Sequence, residues 1–166
     1  MARTSFADFA CSVARTMEVV GEWWTPLILR DIFLGLNRFD AIAADLGIPR
    51  KVLAERLAKL VEHGVLTRVA YRETGRTRHE YRLTEKGADF LTTLVALMDW
   101  GDRWQPLAEG PPTRAEHRDC GGRVTARLVC TECGAMPAPQ EVIATAGPGV
   151  AAHKGTAVLG RLARRG

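Results

Sequence analysis

The chain has 166 residues, 46% hydrophobic and 25% charged, enough for one sizeable core and too ordinary a composition for a disordered protein. No apolar run approaches the ~20 residues of a membrane span, and the opening MARTSFADFACSVARTMEVV mixes charge through every apolar stretch, unlike a signal peptide. A cytoplasmic location with no membrane partner is therefore expected, and the four cysteines read there as thiols or metal ligands before disulfides.

The net charge of +4 is unevenly spread: residues 50–82 carry +5 and residues 150–166 carry +4, while 1–49 and 83–149 are net −2 and −3. Positive charge concentrated in this way suits a polyanion, most simply nucleic acid. A solvated basic face would look the same from charge alone.

Taken in order, Ser12 is placed to cap a short helix with Val13, Met17 and Val20 on its apolar face, ending near Gly21. Thr25-Pro26 starts a second helix, the hydroxyl capping and the proline first in line. Leu27, Ile28, Ile32 and Phe33 form its stripe, and Gly35 stops it. Asp40 caps a third helix with Phe39, Ile42, Ala43 and Leu46 inward, and Gly47-Ile48-Pro49 breaks it. A longer helix follows over 50–62, with Leu53, Leu57, Leu60 and Val61 as its core face and His63-Gly64 as its end. Two helices about a tight Gly-containing turn are a helix-turn-helix signature.

The period then changes from 3.6 to 2. Val65, Thr67, Val69 and Tyr71 alternate with Leu66, Arg68, Ala70 and Arg72, and after the polar loop 73–78 the strand pattern returns with His79, Tyr81 and Leu83. This predicts a β-hairpin with a basic tip. Thr84 opens one long last helix whose Phe90, Leu91, Leu94, Leu97, Met98 and Trp104 leave more apolar surface than so small a domain covers. Dimerisation, with the first helix as partner, is the natural outlet. A groove between the first and last helices is a candidate site for an aromatic effector.

The fold class expected is α+β: a winged helix-turn-helix with dimerisation helices over 1–109, a small cysteine-bearing, zinc-ribbon-like appendage over 110–143 after Gly110-Pro111-Pro112, and a basic, mobile tail over 144–166. Residues 11–104 also resemble the HxlR-type family of bacterial transcriptional regulators, relatives of the MarR group. The matching segments are CSVARTMEVVGEWW, TPLILRDIFLGLNRF, LAERLAKLVEHGVLTR, HEYRLTEKG and WGDRW. The resemblance implies a homodimer that binds operator DNA, acting as a repressor by blocking polymerase, and in some members a response to electrophiles or oxidants through a thiol where Cys11 stands. Pro49, Ala54 and a proline-free wing, RETGRTRH, depart from the family pattern and bear on which DNA sequence is preferred.

Within that frame Arg50, Lys51, Ala54 and Arg56 are the candidate major-groove residues, since Arg reads guanine bidentately and positive charge displaces counterions from phosphate. Arg76 and Arg78 beside Gly75 are the minor-groove or phosphate candidates, and Arg38 a further phosphate contact. For each, the plainer reading is a solvated helix face or loop.

Cys11 lies one residue before the expected helix cap, where a helix N-terminus favours a thiolate and Arg15 is within reach; the alternative is a small buried hydrophobe at the dimer interface. His117, Cys120, Cys130 and Cys133, in HRDCGG and CTECG, make a one-His, three-Cys set suited to structural zinc. Reduced structural cysteines and a Cys130/Cys133 redox pair are the alternatives. One metal would require 123–129 to double back as a small hairpin. Enzyme signatures are missing: there is no G-x-S-x-G, P-loop, Rossmann fingerprint or H-E-x-x-H. The rival to a DNA-binding regulator is a winged-helix protein-interaction module without specific DNA binding.

Overall fold

The computed structural model describes residues 5–73 and 75–151. Helices α1 (Ser12–Val20), α2 (Trp24–Phe33), α3 (Phe39–Leu46) and α4 (Arg50–Glu62) precede the antiparallel strands β1 (Leu66–Glu73) and β2 (Arg76–Leu83). Helices α5 (Glu85–Asp89) and α6 (Leu91–Trp104) follow, and short 3-10 turns stand at Pro139–Glu141 and Pro148–Ala151. His153 and the RLARRG terminus, with the mobility expected of them, lie outside the described residues, as does Thr74 in the wing.

The core is the meeting of α2, α3 and α4. Leu53, Leu57 and Leu60 are spaced at four and three, so they share one face of α4. All three are buried, packed with Ile28, Leu29 and Ile32 of α2, Ile42 of α3 and Leu66 of β1. Burying each such side chain contributes about 1.5–3 kcal/mol. Helix α4 runs over the residues its sequence pattern predicts. Gly47 takes φ +60 to end α3, and Pro49 caps α4 at φ −56, ψ 130, an extended geometry that a proline ring permits and a continuing helix does not.

The expected hydroxyl and carboxylate caps are not where the first helices begin. Cys11, not Ser12, is the N-cap of α1, and Ser12 is its first helical residue. Helix α2 starts at Trp24, which puts Thr25 inside the first turn and buried. Pro26 still costs no bond there, because first-turn N–H groups have no intrahelical acceptor. Helix α3 starts at Phe39, and Asp40 sits within it. Its carboxylate is drawn away from the backbone by two arginines described below.

The wing is also tighter than expected. Pairing runs from Leu66↔Leu83 to Glu73↔Arg76, so the strands continue almost to Gly75. Gly75 takes φ +76, a left-handed conformation suited to a tight reversal, and Arg76 and Arg78 are strand residues and not part of a loop over 73–78. Tyr81 donates its N–H to Asn37 O at 2.8 Å, and Arg38 bridges Glu80, which ties the α2–α3 connection to the outer edge of β2.

The last helix is two helices, broken at Phe90. Thr84 caps α5 as expected, its Oγ1 accepting Gly87 N–H at 3.1 Å and donating to Gly64 O at 2.7 Å. Lys86 reaches His63 O at 2.7 Å, so this short helix is clamped onto the α4–β1 junction. Gly87 is buried, and a Cβ there would lie 2.2 Å from the Val65 carbonyl oxygen. Helix propensity alone makes alanine better by about 1 kcal/mol, whereas overpacking costs about 1–3 kcal/mol. Gly87→Ala is therefore expected to lower the urea midpoint at unchanged slope; a raised midpoint would mean that the close approach costs nothing.

Candidate nucleic-acid interface

Burial of the leucine face turns the opposite side of α4 outward. Arg50, Lys51 and Ala54 are exposed on its first turns. Arg50 lies over the Phe39 ring, its Cζ 4.7 Å from the centroid, and donates through Nη1 to Asp40 Oδ1 at 2.8 Å. From the wing, Arg78 reaches the other oxygen of the same carboxylate at 3.1 Å. Arg38 stacks on Tyr71 at 4.6 Å. Three guanidinium groups thus converge on an open cleft of about 400 Å³ formed by the start of α3, the start of α4 and the outer half of the wing.

Asp40 is the centre of this arrangement and was not visible as such in the sequence, where it reads as a helix cap. The hydrogen bond from Arg50, with both guanidinium charges, holds its carboxyl below the usual carboxylate range. Arg50 is ten positions further along the chain and Arg78 thirty-eight, so no local spacing announces the cluster. Phe39 and Tyr71, read as core and strand positions, double as platforms that keep the guanidinium planes in place.

Arg56 departs from the expectation. It is half-buried, with Nη2 3.2 Å from Glu22 Oε2, and Lys59 beside it pairs with Glu18. Positions 56 and 59 lie on the flank of α4 that faces Glu18 of α1 and Glu22 just before α2, so in the free protein Arg56 is taken up by a carboxylate of its own chain. In the wing Arg76 is exposed, and Arg82 neutralises Glu80 at 2.5 Å, so that strand carboxylate presents no open negative charge.

Cys11 is half-buried at the start of α1, and Arg15 donates to Ser12 Oγ at 3.3 Å instead of lying on the thiol. In the C-terminal segment His117 Nδ1 is 3.3 Å from Cys120 Sγ. The backbone N–H groups of Cys133 and Glu132, with the Cys133 side chain, hold the Cys130 thiol below its usual range. Among the described residues no three or more His, Cys, Asp or Glu side chains gather as a metal site; the four expected ligands stand as two pairs. The reversal expected within 123–129 occurs earlier, at 117–122, so that Arg123 returns beside Glu116. Asp99 of α6 then holds the onward chain, accepting Arg123 Nη2 at 3.1 Å and Ala126 N–H at 3.0 Å.

A helix-turn-helix whose second helix shows a basic turn to solvent, followed by a two-stranded wing, defines a winged helix-turn-helix protein. Residues 19–109 match the model of the HxlR-like helix-turn-helix family. Rv3095, an uncharacterised HTH-type transcriptional regulator of Mycobacterium tuberculosis, is 49% identical over 138 residues, 83% of this chain and 87% of that protein. Among solved structures PA1607, a candidate transcription factor, has a TM-score of 0.74 at 37% identity, covering 86% of this chain and 99% of its own. The oxidised form of the redox regulator HypR has a TM-score of 0.52 at 26% identity, over 56% of this chain and 96% of its own. The chain belongs to the HxlR-like helix-turn-helix family: it is a regulator of transcription of the DNA-binding kind, not an enzyme. Among the described residues no helix is long and apolar enough to cross a membrane.

If Asp40 holds Arg50 and Arg78 in the absence of DNA, phosphate must compete with it. Asp40→Asn is then expected to tighten binding to an arbitrary duplex severalfold at low salt and to narrow the gap between preferred and scrambled sequences. Fluorescence anisotropy with both duplexes reads this directly, and equal or weaker binding to the arbitrary duplex would make Asp40 a brace only.

Proposed function

We propose that the chain is a homodimeric repressor that sets the first turns of α4 in the major groove of its operator and the wing against the neighbouring minor groove and phosphates. The observation that carries this reading is the convergence of Arg38, Arg50 and Arg78 beside the exposed Arg50–Ala54 turn. Arg50 and Lys51 supply base and phosphate contacts, and Ala54 is small enough to let the helix approach base edges. Arg76 and Arg78 bind along the minor groove and Arg38 binds phosphate. The work is done in the cytoplasm, beside the chromosome.

Dimerisation is supported by apolar side chains at the surface: Val13 and Met17 on α1, and Leu97, Trp100 and Trp104 on α6, are all well exposed. A dimer seated over a promoter blocks polymerase, which favours repression over activation. The groove we assign to a small aromatic effector is one of about 330 Å³ between α2 and α6, with Arg30 and Asp102 on its walls and no residue of the first helix in its lining, in place of the groove between first and last helices that the sequence suggests.

The wing is tested by the salt dependence of binding. Replacing both Arg76 and Arg78 by Ala is expected to weaken binding and to reduce the slope of log K against log salt by roughly 1–2. An unchanged slope would take the wing off the DNA, and no salt-dependent binding by the wild type would favour the interaction-module reading.

A thiol response at Cys11 is a second part of the proposal, favoured by its place at the N-terminus of α1 and by the likeness to the redox regulator HypR. Oxidant or a small electrophile is expected to lower the operator affinity of the wild type and to leave Cys11→Ser unaffected. Equal loss in both proteins would remove Cys11 from the response.

A further inference from the structure

Two short stretches that do not line the DNA-facing cleft fold alike. In the first, Gly121 N–H donates to His117 O at 2.8 Å and His117 N–H donates to Gly122 O at 2.8 Å. In the second, Gly134 N–H donates to Cys130 O at 2.9 Å and Cys130 N–H donates to Ala135 O at 2.8 Å. The fifth residue of each turn is a glycine in the left-handed region, at φ +67 and +71, a conformation that costs other residues 1 kcal/mol or more. HRDCGG and CTECGA share a ligand-type residue first, an acidic residue third, Cys fourth, Gly fifth and a small residue sixth. The glycine sets the turn, and in both stretches the turn presents its ligand-type first and fourth residues together.

Neither turn has a core to serve. Cys120, Cys133 and His117 are exposed, so packing does not account for the repetition. What each turn does is bring its first and fourth side chains together. His117 Nδ1 and Cys120 Sγ are 3.3 Å apart. A tetrahedral zinc with Zn–N about 2.0–2.1 Å and Zn–S about 2.3 Å places such a nitrogen and sulfur about 3.5 Å apart. The first turn thus already has nearly the bite of half a zinc site.

We propose that the two turns close on one Zn²⁺, bound by His117 Nδ1 and the sulfurs of Cys120, Cys130 and Cys133. Three sulfurs and one nitrogen in a closed tetrahedron suit zinc over hard cations and leave no position for substrate, so the site is structural. The two pairs stand apart in the metal-free chain, so closure requires residues 127–129, beyond the Asp99 contact to Ala126, to fold back and bring the second pair onto the first. The connection between them has no helix or strand of its own and is held to the winged unit by Asp99 through Arg123 and Ala126. Zinc therefore fastens the C-terminal segment against α6, and the site does not depend on how the protein meets DNA.

The experiment uses the full chain under a reductant, which keeps Cys130 and Cys133 from pairing. Metal content is measured after purification, and Co²⁺ alone is titrated into the metal-free protein. One equivalent of zinc per chain is expected, with cobalt giving the visible bands of a tetrahedral centre and thiolate charge transfer. Cys120→Ser and Cys133→Ser, one from each turn, should each lose that equivalent, while Cys11→Ser keeps it. Circular dichroism of each variant separates loss of metal from loss of the winged fold. No bound metal after loading, metal that survives either turn variant, or metal lost equally on replacing Cys11 would overturn the site.

Discussion

The burial of Leu53, Leu57 and Leu60 against α2 and α3 governs what the surface of this protein can do. At 3.6 residues per turn, three buried leucines at that spacing leave no freedom in the rotation of α4 about its axis. The side chains at 50, 51 and 54 must then face solvent, and those at 56 and 59 must lie on the flank beside α1 and α2. Hydrophobic packing, which has no interest in charge, thereby decides which of the helix's cations are open to a polyanion and which are absorbed internally.

The acidic residues complete that division. Glu18 and Glu22 take up Lys59 and Arg56 on the inner flank, where a half-buried, unpaired cation would be costly. Asp40 meets Arg50 and Arg78 at the outer edge, where the groups are exposed and the pairs correspondingly weak. Weakness is useful here. A bond that solvent and salt loosen holds two arginines from separate elements in register, yet yields when phosphate arrives with several charges at once. The same acid on the inner flank would be hard to displace.

These two levels of organisation were unequally legible in the sequence. The path of α4 could be read to the residue because Pro49 and Gly64 act through local backbone geometry and the leucines through a short period. The starts of α1, α2 and α3 were misplaced for a related reason. Ser12, Thr25 and Asp40 all have the chemistry of a cap, but packing and ion pairing recruit Thr25 and Asp40 elsewhere. The wing's width depended on whether Gly75 would take a tight turn, which polar composition does not announce. The pairing of Arg56 is not legible because a helix face drawn from one helix alone omits its neighbours; Glu22 is 34 residues away in the chain and beside Arg56 in space. The cysteine-bearing turns were found by their ligand spacing, and their backbone geometry was not deducible from it.

The C-terminal segment shows how a winged helix can gain an appendage without losing its apolar face. Asp99 and Asp102 are three apart on α6 and both face Arg123, at 3.1 and 4.0 Å. Leu97, Trp100 and Trp104 follow a different stripe of the same helix and stay more than half exposed, at 52%, 59% and 58%. The family match ends at residue 109, and the 138 residues aligned with Rv3095 outnumber residues 1–109, so that alignment extends beyond the family match into the C-terminal part of the chain. One helix thus offers carboxylates to its own chain along one line and bare aromatic and aliphatic surface along another. Any change that tightens the first, by metal or by packing, stiffens the backbone that presents the second. The stripes share fourteen residues of helix, and a segment seated on one cannot be wholly indifferent to what binds the other.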